Sequence, residues 1–227
     1  SEDLPMPVID PPLRLKGNLY GRPGYFQTDV AKGVTRTPTG QRVCTLPSEF
    51  LLGFRDALIY ECGKAYRKVM KAAGTKWGVR FAARFDKDVS AAYQAKLRDL
   101  PAGLVHTCLA DAFAANGYGR LDVDLSLCDD GIVVVDVRDP VMPTLVREAD
   151  RPVDLLTAGM LGAVFAHLTG ERVDAIQTEC PSLGADRSRF VIARADAVAA
   201  AEEFVDAAAQ MPTHEAVVDR VRRALAP

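Results

Sequence analysis

The chain has 227 residues, 48% of them hydrophobic and 26% charged, which is enough apolar mass for a full core and argues against general disorder. With 28 Lys and Arg against 30 Asp and Glu, the formal net charge is −2, a poor match to a nucleic-acid-binding surface. No apolar run reaches the roughly 18 residues of a membrane span. The start, SEDLPMPVID, lacks the basic and apolar parts of a secretory leader, and the 5 cysteines form no CxxC pair. A cytoplasmic protein with reduced thiols, no nucleic-acid partner and no membrane span is predicted.

Residues 1–47 hold 7 of the 14 prolines, and Gly17, Gly21, Gly24, Gly33 and Gly40 add breaks. Proline lacks an amide donor and glycine is costly to order, so no long helix fits. The composition predicts an extended arm with short turns, pinned by Tyr20, Tyr25 and Phe26; a partly mobile tail is the plainer alternative. One domain is expected over 48–227.

Ser48 follows Pro47 as a capping residue, and Phe50, Phe54, Ala57, Leu58, Ala65 and Val69 then recur at helical spacing. Lys64, Arg67, Lys68 and Lys71 fall mainly on the other side, and Gly74 is expected to stop the helix. The stretch with Phe81 and Phe85 resumes a helical pattern, a short helix is predicted at 90–100, and another runs from Pro101 to Asn116 with Leu104, Val105, Cys108, Leu109, Ala112 and Phe113 as its apolar stripe. The period then changes. Leu121, Val123, Leu125 and Leu127 alternate with polar residues, Asp129-Asp130-Gly131 marks a turn, and Ile132–Val137 returns antiparallel. Residues 153–168 read as a buried helix, with Gly159 and Gly162 allowing a close neighbour. Strands at 172–178 and 189–194, an alanine-rich helix at 196–210 and a last helix from Pro212-Thr213 to Leu225 complete the chain. The order predicts an α+β fold: an antiparallel sheet of about four strands packed by helices.

No nucleophile elbow, phosphate loop, dinucleotide fingerprint or HExxH occurs, and His106, His167 and His214 stand in no metal-ligand spacing. Asp122, Asp124, Asp129 and Asp130 read as a solvated strand face and turn rather than a cation site, and Lys64–Lys71 as a solvated helix face rather than a dock for an acidic partner. His106 sits inside an apolar stripe. An unpaired buried polar group costs about 1–3 kcal/mol, so a buried imidazole needs a partner from protein, water or ligand. A satisfied core histidine is the simpler reading; a pocket with one oriented polar group is the sharper one.

Gln177-Thr178-Glu179-Cys180, Gly184, and Phe190-Val191-Ile192 follow a helix bearing Gly159 and Gly170, with Gly63, Gly74, Gly78 and Leu104-x-His106 upstream. In this order, over about residues 45–194, they resemble the 4-vinyl-reductase domain family. The resemblance implies the fold of the TRAPP small subunits and of the ligand-binding domains of phenol-sensing activators. It also implies a pocket for a small apolar or aromatic ligand between helices and sheet. His106 matches the histidine that holds the phenol hydroxyl in those sensors, whereas Val137 stands at their tryptophan position. The implied walls are His106, Phe81, Val135, Val137, Met160 and Val164.

The sensors also hold a structural zinc, and the corresponding positions here are Asp154, Gln177, Cys180 and Ser188. One carboxylate, one amide, one thiol and one hydroxyl make a poor zinc set. No metal and no cofactor are therefore expected, with the loop at 181–188 held instead through Asp186, Arg187 or Gln177.

Three functions follow from the resemblance. The first is non-catalytic binding of a small hydrophobic or aromatic ligand, with output through a separate protein. The second is an enzyme or accessory in tetrapyrrole vinyl reduction, which needs a hydride or electron donor. The third is a TRAPP-like scaffold, a homodimer through helix faces, with the arm and the alanine-rich helix as partner surfaces.

Overall fold

The computed structural model describes residues 17–22 and 24–226. The first 16 residues of the predicted arm, Pro23 and Pro227 lie outside the described residues.

Four antiparallel strands form the central sheet: β4 (Arg120–Asp124), β5 (Val133–Arg138), β6 (Val173–Glu179) and β7 (Ser188–Arg194), in the order β4-β5-β7-β6. Val135 is the hub of the register, opposite Val123 on β4 and Phe190 on β7. The β-branched run of β5 suits this central place, since such side chains pack well on a pleated surface. Side chains alternate between the faces. Leu121, Val135, Val137, Phe190 and Ile192 belong to one core; Ile132, Val134, Ile176, Val191 and Ala193 belong to another. Helices cover both. The first core packs against α2 (Tyr66–Tyr93), α3 (Ala102–Ala115) and α5 (Leu155–Thr169), the second against α6 (Ala195–Ala207) and α7 (His214–Leu225). Two further helices, α1 (Glu49–Cys62) and the short α4 (Val141–Leu145), lie outside these layers.

The helix boundaries correct three expectations. Gly74 does not stop a helix; α2 runs through it for 28 residues, and the break falls at Gly63, whose φ is +53°. The reason is a close crossing. A Cβ on Gly74 would lie 2.1 Å from the Leu156 carbonyl oxygen, and one on Gly159 2.1 Å from that of Lys71. Glycine is the residue that lets two helix backbones touch. The predicted helix at 90–100 is instead the end of α2, closed by Gln94 at φ +53° and followed by a 3-10 turn at Leu97–Asp99. Ser48 makes no capping bond, whereas Thr213 accepts from the Ala216 amide at 3.3 Å and opens α7. The basic run is not wholly solvated either. Lys71 Nζ lies 2.8 Å from Asp174 and 2.5 Å from Glu202, tying α2 to β6 and α6.

The described part of the arm folds back on the domain. A small antiparallel sheet of β1 (Gln27–Asp29), β2 (Val34–Arg36) and β3 (Arg42–Val43) follows an anchor at Asn18 and Tyr20. Asn18 donates to Asp111 at 2.6 Å. The buried Tyr20 stacks on Phe85 at 5.9 Å and donates to Asp88 at 3.4 Å. Burial pushes both the Tyr20 hydroxyl and the Asp88 carboxyl above their ordinary pKa values, the neighbouring Asp88 charge adding to the first.

Candidate ligand cavity and the Gln177 corner

Phe81, Val135, Val137, Met160 and Val164 come together: each is at most 1% exposed and all belong to the first core. His106 stands apart from them, at the rim of the same sheet face. Its side chain is 35% exposed, and Nε2 lies 3.5 Å from Asp122 Oδ1 without a hydrogen bond among the described residues. The imidazole borders a hollow of about 230 Å³ with Leu97, Leu100, Val123 and Phe165.

A larger cavity, about 640 Å³, opens elsewhere on this side of the molecule. Its walls come from the end of the arm (Val43–Ser48), Phe50 and Phe54 of α1, Trp77 of α2, Tyr118, Met142 of α4, and Asp154, Thr157 and Met160 at the start of α5. Met160 alone of the six wall residues expected from the sequence lines it. A row of rings leads from the cavity into the core: Trp77 meets Tyr118 edge-on at 5.0 Å, Tyr118 meets Phe113 at 5.8 Å, and Phe113 meets Phe81 at 6.0 Å. Phe81 therefore backs the wall without forming it. Burial raises the Tyr118 hydroxyl, partly offset by the Arg84 charge. Sequence reasoning missed Trp77, Tyr118, Phe50 and Phe54. For Phe50 and Phe54 the available signal was their spacing of four residues, which puts both on one side of α1.

The corner of Asp154, Gln177, Cys180 and Ser188 is buried, each residue at most 3% exposed, with Asp154 also at the cavity wall. Gln177 accepts from the Asp154 amide at 2.8 Å and donates to Glu179 O at 3.0 Å and Ser188 Oγ at 2.9 Å. Ser188 donates to Asp154 Oδ2 at 3.4 Å and Thr157 to Oδ1 at 2.6 Å. Burial pushes the Asp154 carboxyl up to about 6, the bonds from Thr157 and Ser188 pulling the other way. These residues do not fit a zinc ion. Only Cys180 and Asp154 are good ligands, and among the described residues no group of three His, Cys, Asp or Glu is placed to hold a metal ion. Beside this corner, Arg187 and Arg189 hold the loop at 181–188 to the sheet. Arg187 Nε lies 3.0 Å from Asp136, and Arg189 grips both oxygens of Asp136 at 2.7 and 2.9 Å. Of the acidic residues read as a strand face and turn, Asp124 caps the Ser126 amide at 2.8 Å and Asp130 pairs with Arg222 at 3.0 Å.

The sequence matches no protein-family model and no curated protein. Solved structures do match. The phenol-responsive sensory domain of the transcription activator PoxR, solved with phenol, superposes with a TM-score of 0.60 over 75% of this chain and 85% of that domain, at 18% identity. A vinyl-4-reductase family protein from Methanocaldococcus jannaschii aligns at a TM-score of 0.45 and 16% identity over 68% of this chain and 85% of that one. Trafficking protein particle complex subunit 3 from Naegleria fowleri, covalently bound to palmitic acid, aligns at 0.44 and 17% over 64% and 93%. The first of these shows the fold: the chain has the α+β architecture of a phenol-responsive sensory domain, as the sequence motifs resembling the 4-vinyl-reductase domain lead one to expect. No helix of the described residues is long and apolar enough to cross a membrane.

Proposed function

We propose that this chain is a non-catalytic binding module for a small hydrophobic or aromatic ligand, held in the cavity beneath the arm and α1. One observation carries the reading. A cavity of about 640 Å³ with aromatic and aliphatic walls and few polar groups falls within the roughly 300–1,000 Å³ typical of small-molecule sites. The hollow at His106, about 230 Å³, is below that range. In this reading Met160 touches the ligand, while Phe81, Val135, Val137 and Val164 stiffen the wall behind it. Asp154 is the one carboxylate of the lining, and no Lys, Arg or His joins it. Neutral aromatics should therefore bind better than aryl carboxylates of the same size.

The chain supplies its own probe, because Trp77 is its single tryptophan and lines the cavity. Titration with 2-naphthol should change Trp77 emission saturably, and Ala73→Phe, which fills the cavity, should abolish the change. Native mass spectrometry of protein from its own host should show a carried small molecule. An unsaturable response together with an empty protein removes the proposal.

A homodimer rests on a separate observation. In α1 none of the 14 residues is buried, and Tyr60, which lies outside the cavity lining on another side of the helix from Phe50 and Phe54, is 87% exposed. We assign this face to a second copy of the chain. Light scattering should give twice the monomer mass, and Tyr60→Glu should return it to monomer; a monomer at every concentration overturns the assignment.

A further inference from the structure

In this fold the corner at Asp154, Gln177, Cys180 and Ser188 is where the sequence resemblance implies a metal, and the donors present do not fit one. We propose that the Gln177 side-chain amide is a metal-free staple, holding the start of α5 against β6 and β7 by hydrogen bonds, and that this corner takes up no divalent ion.

The bond pattern requires an amide. Gln177 uses its carbonyl to accept from the Asp154 amide and both of its hydrogens to reach Glu179 O and Ser188 Oγ. A glutamate accepts but does not donate, so it would leave two buried acceptors facing it and set a second negative charge near Asp154. The register between β6 and β7 shifts between Gln177 and Glu179, and such an irregularity re-aims a side chain. Metal entry would have to break this network, because the amide nitrogen has no lone pair to give and both Asp154 oxygens already accept. The thiol of Cys180 offers no alternative. It packs with Met142 and Val153 in an apolar cluster, and one thiolate is far short of the four ligands a zinc site needs.

The test uses the whole chain. Wild type should contain no stoichiometric zinc by elemental analysis, and its melting temperature should move with neither EDTA nor added zinc. Gln177→Glu should melt below wild type. Ser188→Ala, which removes the acceptor of one Gln177 hydrogen and a long 3.4 Å bond to Asp154 but adds no charge, should fold and show a smaller loss. In Gln177→Ala the Asp154 amide should exchange about tenfold faster or more, with amides of α7 unchanged. Stoichiometric zinc or an EDTA-induced fall in wild type overturns the proposal. So does Gln177→Glu matching wild type, or unchanged exchange at Asp154 in Gln177→Ala and Ser188→Ala.

Discussion

The two faces of the β4–β7 sheet are covered by different kinds of side chain. Ala197, Val198, Ala201, Val217 and Val221 of α6 and α7 pack on one; Phe81, Phe85, Phe113, Met160 and Leu161 of α2, α3 and α5 pack on the other. Small residues let helices sit close to a sheet and fill the space between them. Rings are larger and stiffer, and where their row reaches the edge at Trp77 and Tyr118 it borders the cavity of about 640 Å³. The cavity therefore lies on the aromatic side. The alanine–valine side fixes the sheet.

The largest effect that would break this arrangement is expected from Gly159→Val. The added atoms would meet the Lys71 backbone, already 2.1 Å from a bare Cβ, and neither helix has a flexible side chain there to move aside. The loss should reach about 3 kcal/mol or more, read as a collapse of the urea midpoint. A stable, cooperative variant would mean that α2 and α5 do not cross as described. Next comes a direct comparison of the faces. Phe113→Ala should cost about 3–5 kcal/mol, and Val221→Ala, which removes two methyl groups from the other core, about 2 kcal/mol. Both residues are fully buried, so equal costs would erase the proposed difference in packing.

Tyr20→Phe sharpens the picture at the arm. It keeps the stacking on Phe85 and removes the bond to Asp88, which should cost about 1 kcal/mol. The effect should show as faster exchange of the Tyr20 amide, which donates to Asn18 Oδ1 at 3.1 Å. Unchanged exchange would show that the ring alone anchors the arm.

How legible was this in the sequence? The alternation at 121–127 and the β-branched run at 132–137 predict the central hairpin because alternation is a local property, although β4 ends at Asp124 and Leu125 and Leu127 fall in the turn beyond it. Gly74 misled for the opposite reason. A glycine inside an apolar helix looks the same whether it ends the helix or receives a distant backbone, and the partner, Gly159, belongs to another element. The cavity follows the same rule. His106 stood out as a polar group in an apolar stripe, yet its hollow is the smaller one. Trp77, Tyr118 and Phe54 converge only after α1, α2 and the arm have met, so no window of sequence contains the cavity. Gln177 stands as a neutral amide where the resemblance implies a metal ligand, and its three hydrogen bonds explain why an amide suits it there.

The smallest expected effect separates the faces by pH. His214 opens α7 on the alanine–valine side, and its Nδ1 lies 2.9 Å from Thr178 Oγ1. Burial lowers its pKa below the ordinary 6.5, and the Arg189 charge lowers it further, against Glu179, Glu215 and Asp136. The unfolded chain then takes the proton first as pH falls. Stability from this group is complete above 6.5, declines as pH drops below it, and levels off once the folded imidazole is protonated too. His214→Asn keeps a partner for Thr178 and removes the titration, so the difference in melting temperature between it and wild type should shift between about pH 7.5 and about pH 5. The shift should appear without any change in the Trp77 response to 2-naphthol, because the two groups lie on opposite faces of the sheet. A constant difference would show that His214 is as solvated in the folded chain as in the unfolded one.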